Sequence, residues 1–242
     1  MQVDAATGDL GVHPVLREVT DDRDDIPVVH VTHFNALMWD TGRAPVHVVE
    51  HGVLDPGHRY TGELDRAAVV VNEPVRRGRV TGTDLLPGFA DAVGLDVFGI
   101  GTDRLPDAVE HPAVTVVGDL PQDRLHAEMA RRRVYLHPVR WTSLGLSLIE
   151  AMMLGMPVVA LATTEVAVDV PADAGVVGTD TAVLRNALRT FAADPDLARA
   201  TGARARESAL ARHGVARFLD RFDEVLAGVA GRPASRGAPA LI

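Results

Sequence analysis

The sequence predicts an α/β fold, a doubly wound parallel sheet, from three observations. Short Val-rich runs recur from Ala67 onward, amphipathic segments alternate with them, and 242 residues with 47% hydrophobic content suffice to bury a sizeable core. Strands covered by helices on both faces read as continuous apolar runs, and a strand–helix alternation builds a parallel sheet. Taken in order, "AAVVVN" reads as a strand, Thr83 to Ala92 as a helix, and "LDVFGIG" and "AVTVVG" as strands. Gln122 to Arg132 reads as a helix, "RVYLHP" as a strand, "LGLSLIEAMML" as a helix, and "PVVALA" and "AGVVG" as strands. Three helices follow: "TAVLRNALRTFAA" with Thr181 as its N-cap, "DPDLARATGARARESALARHG" from Asp-Pro to Gly214, and "VARFLDRFDEVLAGVAG" with apolar spacings of three and four.

Ahead of this region the chain is loop-like and acidic up to "DDRDD", then offers two short strands, "IPVVHVTHF" and "PVHVVEHGV", around a helix near Asn35 to Asp40. Residues 55–66, "DPGHRYTGELDR", hold turn formers without an apolar period and read as a linker. The expected division is therefore 1–65 as a partial N-terminal domain with linker, 66–228 as the main domain, and 229–242 as a disordered tail. A net charge of -9 and a pI near 5.5 argue against nucleic-acid partners. No apolar run reaches bilayer length and the start lacks a signal-peptide pattern, so a cytoplasmic location is expected. Cysteine is absent, which removes disulfides and thiolate metal sites.

Glu150 stands out. In a helix beginning near Gly145, positions 146, 149, 150, 153 and 154 share a face and read Leu, Ile, Glu, Met, Leu. The opposite positions, Ser147, Leu148, Ala151 and Met152, are small or apolar, so the helix is expected to be buried nearly all round with Glu150 as its only charge. A buried carboxylate costs several kcal/mol unless compensated. Two compensations stand open: a salt bridge to an Arg, or a polar ligand whose hydroxyls donate to it. The place favours a ligand, because the helix follows a strand, and doubly wound sheets bind ligands at strand carboxyl ends against helix N-termini. Gly145 permits close backbone approach there, while Thr142 and Ser143 either donate hydroxyls to the ligand or cap the helix.

The segment "YLHPVRWTSLGLSLIEAMMLGMPVVAL" resembles the donor-site motif of retaining, family 4 type glycosyltransferases with the GT-B fold. The likeness runs from about Ala67 to Ala227 and includes "VTVVGDLPQDRLHAEMARRRVYLHP", the closing helices, and "VHVVEHGVLD" as the end of an N-terminal domain. The fold it implies is a Rossmann-like C-terminal half of a GT-B enzyme with a partial N-terminal domain. The activity it implies is transfer of a sugar, with retained configuration, from a nucleotide-diphosphate sugar to an acceptor whose identity the sequence does not reveal. By position, Glu150 matches the carboxylate that binds the ribose, and Gly145 and Leu146 match backbone positions facing diphosphate and sugar. The cationic pair that neutralises the leaving group maps to Arg76, Arg77 and Arg79, with Arg76 taken first. No metal or other cofactor is then required.

The sequence also departs from that family. Thr142 replaces the carboxylate that contacts the transferred sugar, leaving Thr142 and Ser143 as hydroxyl contacts and Thr142 with Arg76 as the catalytic candidates. Glu165, in "TTEVAVDV", reads as a surface loop acid. His30 and His33 point to opposite faces of a strand, which defeats shared metal ligation; His47 and His51 lie four apart in a second strand-like segment. His33 reads as a core, surface or cleft residue, His137 as the end of a buried strand, and Trp141 as a sugar platform or a packing residue. Only about 65 residues precede the donor-like domain, which implies a misplaced start, a truncation, or a partner chain supplying the N-terminal half. The alternative function is a non-catalytic nucleotide-binding fragment; a GT-B sugar epimerase ranks third.

Overall fold

The computed structural model describes residues 24–231; residues 1–23, most of the acidic start, and residues 232–242 of the expected tail lie outside the described residues. The chain divides into two compact units, Val53–Gly214 and a second one made of residues up to Gly52 together with Val215 onward.

Val53–Gly214 is built on six parallel strands, β3 (Leu64–Val70), β4 (Leu95–Phe98), β5 (Val114–Gly118), β6 (Arg132–His137), β7 (Val158–Leu161) and β8 (Gly175–Gly178), in the order β5-β4-β3-β6-β7-β8. Central strands β4 and β7 are buried at every position, as their uninterrupted apolar runs require. Between β3 and β4 stand α2 (Gly78–Thr81), a 3-10 turn (Thr83–Leu85) and α3 (Leu86–Ala90), where the sequence suggests one helix from Thr83. Gly82, at φ 76, interrupts the helical path between the first two. Helix α4 (Gln122–Met129) precedes β6 and is shorter than expected, Arg132 having joined the strand.

Helix α5 (Leu146–Leu154) packs between the sheet and α8 (Pro195–His213), which follows α6 (Val166–Asp169) and α7 (Thr181–Ala193). The N-cap of α7 is Asp180, whose carboxylate accepts from the Ala182 N–H at 2.8 Å, one residue earlier than the sequence suggests. Leu148, Ile149 and Met152 are at most 1% exposed, each such burial contributing about 1.5–3 kcal/mol. Gly155 ends α5 in the left-handed region at φ 93. A methyl on Gly202 of α8 would strike the Gly155 carbonyl, so the two elements meet backbone to backbone there.

The expected linker belongs to this unit. The N–H groups of Arg59 and Tyr60 donate to the Leu154 carbonyl, those of Thr61 and Gly62 donate to the Ala130 carbonyl, and Asp55 pairs with Arg206 at 2.7 Å. Backbone hydrogen bonding, invisible to an apolar period, docks the segment.

In the second unit β1 (Val28–His30) pairs in parallel with β2 (Val46–Val48) through α1 (His33–Met38), capped by the Thr32 hydroxyl. Helix α9 (Val215–Ala230) groups with this unit, Phe218 lying against Gly52 and Arg217 facing Glu50 at 3.8 Å. The division thus falls at 52/53 and 214/215 where the sequence suggests 65/66 and 228/229, and Val229 and Ala230 are helical. An amphipathic helix shows that it has an apolar side without showing which unit will meet it.

Candidate functional site

The switch point of the sheet lies between β3 and β6, from which crossovers leave in opposite directions. A cleft of about 380 Å³ opens there, at the carboxyl ends of the strands. Val71 and Asn72 after β3, Gly99 and Ile100 after β4, Asp119 after β5, and His137 and Val139 at the end of β6 line it. Thr142, Gly145, Leu146, Ser147 and Glu150 close it from the side of α5. Gly99, at φ 123, lies where a methyl would strike the Val71 carbonyl, and the Ile100 N–H donates to Asn72 Oδ1 at 2.9 Å, which ties the ends of β3 and β4 together.

Glu150 keeps its side chain 14% exposed at the cleft wall. Its Oε1 accepts from Gln122 Nε2 at 3.0 Å, and its Oε2 lies 3.5 Å from His126 Nε2. Among the described residues no Arg pairs with it, which removes the Arg salt bridge as its compensation. Two oxygens with four acceptor directions retain capacity for further donors. The approach of Gln122 and His126 to Glu150 went unnoticed in the sequence; the signal was their i, i+4 spacing, which sets both on one face of the helix beside α5.

Gly145 occupies the N-cap of α5 and no side chain caps the helix, so Thr142 and Ser143 do not take the capping role. The first N–H groups of a helix lack intrahelical acceptors and, with the helix dipole, favour an anion. Thr142 lines the cleft and Ser143 does not. Leu146 is 50% exposed, departing from the expected all-round burial because the helix start opens into the cleft.

Of the three arginines, Arg77 lines the cleft and has no ion pair among the described residues. Arg76 turns to Glu73 at 3.4 Å and Arg79 to Asp84 at 3.2 Å, and neither reaches the cleft. A turn of this kind assigns side-chain directions through φ and ψ, which spacing alone does not reveal. Arg140 braces the same turn: its N–H donates to the Val80 carbonyl at 2.8 Å and its guanidinium grips both oxygens of Asp84, holding that carboxyl below its ordinary range. Trp141 follows, its N–H donating to Val80 at 3.3 Å, and does not line the cleft.

His137 is 1% exposed, and burial lowers its imidazole to about 4, so the ring is neutral at physiological pH. Its Nδ1 lies 3.4 Å from the Tyr135 hydroxyl, which in turn is 2.9 Å from Ser147 Oγ. Its Nε2 is buried without a hydrogen-bond partner. Glu165 is 2% exposed rather than a surface acid: Thr163 Oγ1 donates to the Val139 carbonyl at 2.9 Å and draws this loop inward. In the other unit His30 ends β1, buried, and His33 opens α1, exposed, so the two do not share a strand.

Residues 110–208 match the family model described as glycosyl transferases group 1. The chain is similar in structure to sucrose-phosphate synthase from Thermosynechococcus elongatus, with a TM-score of 0.75 and 20% identity over 90% of this chain and 61% of that one. It is similar to a mutant S. aureus TarM in complex with fondaparinux, alpha-GlcNAc-glycerol and UDP, with a TM-score of 0.69 and 16% identity over 85% of this chain and 45% of that one. Anabaena HepE in complex with UDP and glucose gives a TM-score of 0.70 at 16% identity, over 93% of this chain and 70% of that one. No curated protein matches the chain by sequence. The chain thus spans about half to two thirds of the length of these structures, and the six-stranded Rossmann-like sheet matches GT-B glycosyltransferase structures.

Proposed function

We propose that the chain forms the donor-binding part of a glycosyltransferase that takes a sugar from a nucleoside-diphosphate sugar. One observation carries this reading: among the described residues, a single cleft at the switch point holds a carboxylate without an arginine partner, Glu150, a guanidinium without an ion pair, Arg77, and the open N-terminus of α5. A nucleoside diphosphate has the complementary groups, diol donors for the carboxylate and phosphate oxygens for the guanidinium and helix start. UDP and UDP with glucose in similar structures support a uridine nucleotide as the first ligand to try.

In this reading Glu150, oriented by Gln122 and flanked by His126, accepts from the ribose hydroxyls. Arg77, in the role first given to Arg76, and the first N–H groups of α5 stabilise the charge that develops on the departing diphosphate. Stabilising a leaving group in a preorganised site is the main source of rate in such chemistry, and a guanidinium supplies it without a metal. Thr142 faces the sugar with a hydroxyl. Retention of configuration follows from the family resemblance, and the acceptor is bound by residues outside this cleft.

The test is calorimetric titration of the chain with UDP, GDP and ADP, repeated on Glu150→Ala. One nucleotide is expected to bind, and Glu150→Ala to weaken it by about 1.5–3 kcal/mol, the worth of hydrogen bonds to a charged group. A folded chain that binds none of the three would overturn the reading.

A further inference from the structure

Among the polar groups of the cleft that this reading does not use, His137 is the one buried with an unpartnered atom. It is 1% exposed and leaves Nε2 without a partner, whereas a buried ring nitrogen ordinarily finds one. A neutral imidazole carries its proton on one ring nitrogen or the other, and the groups at Nδ1 are compatible with both. Ser147 Oγ, Tyr135 Oη and His137 Nδ1 form a chain with steps of 2.9 and 3.4 Å. When the Tyr135 hydroxyl donates to Nδ1, a neutral ring must carry its proton on Nε2. Burial keeps the ring neutral, and in that tautomer Nε2 is a donor across the physiological range.

Gly145 points to the same ring from the other side. Its φ of -75 and ψ of 120 suit any residue, so backbone freedom does not explain a glycine. A Cβ there would lie 2.6 Å from His137 Cε1 and 3.3 Å from Nε2. The glycine makes room for the imidazole directly beneath the N-terminus of α5, a nine-residue helix.

We infer that His137 is a ligand-binding residue whose Nε2–H donates to a phosphate oxygen held at the start of α5. The inference deepens the donor-site reading and rests on it. It gives the diphosphate a neutral donor beside the Arg77 cation, and it makes Tyr135 and Ser147 positioning residues acting through the ring.

The experiment is titration of the full chain with UDP, GDP and ADP, using wild type, His137→Leu, His137→Gln and Gly145→Ala. Nitrogen-15 histidine NMR of the wild type accompanies it, with and without the nucleotide that binds. His137→Leu is expected to lose about 10- to 100-fold in affinity, the range for a hydrogen bond to a charged group. His137→Gln, which presents an amide N–H near the place of Nε2, is expected to recover most of it, while Gly145→Ala loses affinity by displacing the ring. In the wild type the His137 signal, identified by its absence in His137→Gln, is expected to report a protonated Nε2 that shifts on binding. Tight binding by wild type and by a folded His137→Leu alike overturns this inference and leaves the donor site standing. An Nε2 signal unmoved by bound nucleotide also overturns it. Absence of nucleotide binding in the wild type overturns both readings together.

Discussion

The two ends of the six-stranded sheet solve the problem of buried charge in opposite ways. At the amino ends of the strands, Asp96 is 4% exposed and lies between Arg66 at 2.6 Å and Arg132 at 2.8 Å. Arg132 also reaches Glu128 at 2.7 Å and stacks over the Phe98 ring at 5.1 Å. These four charges, Arg66, Asp96, Glu128 and Arg132, are matched with one another. At the carboxyl ends, among the described residues, Glu150 has only an amide and an imidazole beside it, Arg77 has no ion pair, and His137 Nε2 has no hydrogen-bond partner. A charge matched internally holds the fold; one left unmatched at a cleft is held ready for something outside it.

The largest expected effect separates the two ends by stability. Asp96→Ala strips the shared carboxylate from two arginines and leaves Arg132 with Glu128 alone, which should cost about 3–5 kcal/mol, the range for breaking a buried pair. Urea unfolding reads this, and nucleotide affinity of the protein that remains folded should not change. Glu150→Ala should do the reverse, leaving the urea midpoint nearly unmoved while it lowers affinity as stated above.

Acid supplies a comparison within one sample. The His137 ring titrates near 4 in the folded state against 6.5 when free, so between those values the unfolded chain binds more protons than the folded one. Stability conferred by neutral His137 is therefore complete above pH 6.5 and falls toward pH 4, at up to about 1.4 kcal/mol per pH unit. The salt-bridged Asp84 and Glu128, with carboxyls held below 3.8 and 4.5, lose their contributions only as pH falls past those values. Unfolding followed from pH 7 to 3 should show the His137 slope first, and His137→Leu should flatten that part of the curve.

The fold was readable where the signal is an apolar run. β3 to β8 and α5 stand where Val-rich strands and the "SLIEAMML" helix place them. Glu150 was readable too, since a lone charge among apolar neighbours is a statement about packing that one dimension carries. What escaped depends on directions and docking. Arg76 and Arg77 are neighbours in sequence, and only the turn into α2 decides which enters the cleft. Residues 55–62 resemble a linker until their N–H groups find the carbonyls of Leu154 and Ala130. Gln122 and His126 become meaningful only once α4 and α5 are known to be neighbours.

The smallest expected effects sharpen the arginine choice. Arg77→Ala should weaken nucleotide binding by about 1–3 kcal/mol, as for loss of a charged hydrogen bond. Arg76→Ala removes an exposed pair with Glu73 and should change affinity and stability by less than about 0.5 kcal/mol. Equal losses from the two in the same titration would erase the distinction.

The brace between Arg140 and the turn carrying Val80 and Asp84 has a kinetic meaning. Two loops that would otherwise move independently are joined by main-chain and side-chain bonds before any ligand arrives, so the rim of the cleft travels as one piece. The entropy of ordering it is spent during folding rather than at each encounter. Rapid mixing with nucleotide is then expected to show an association rate that rises in proportion to ligand concentration, without a slow isomerisation behind it.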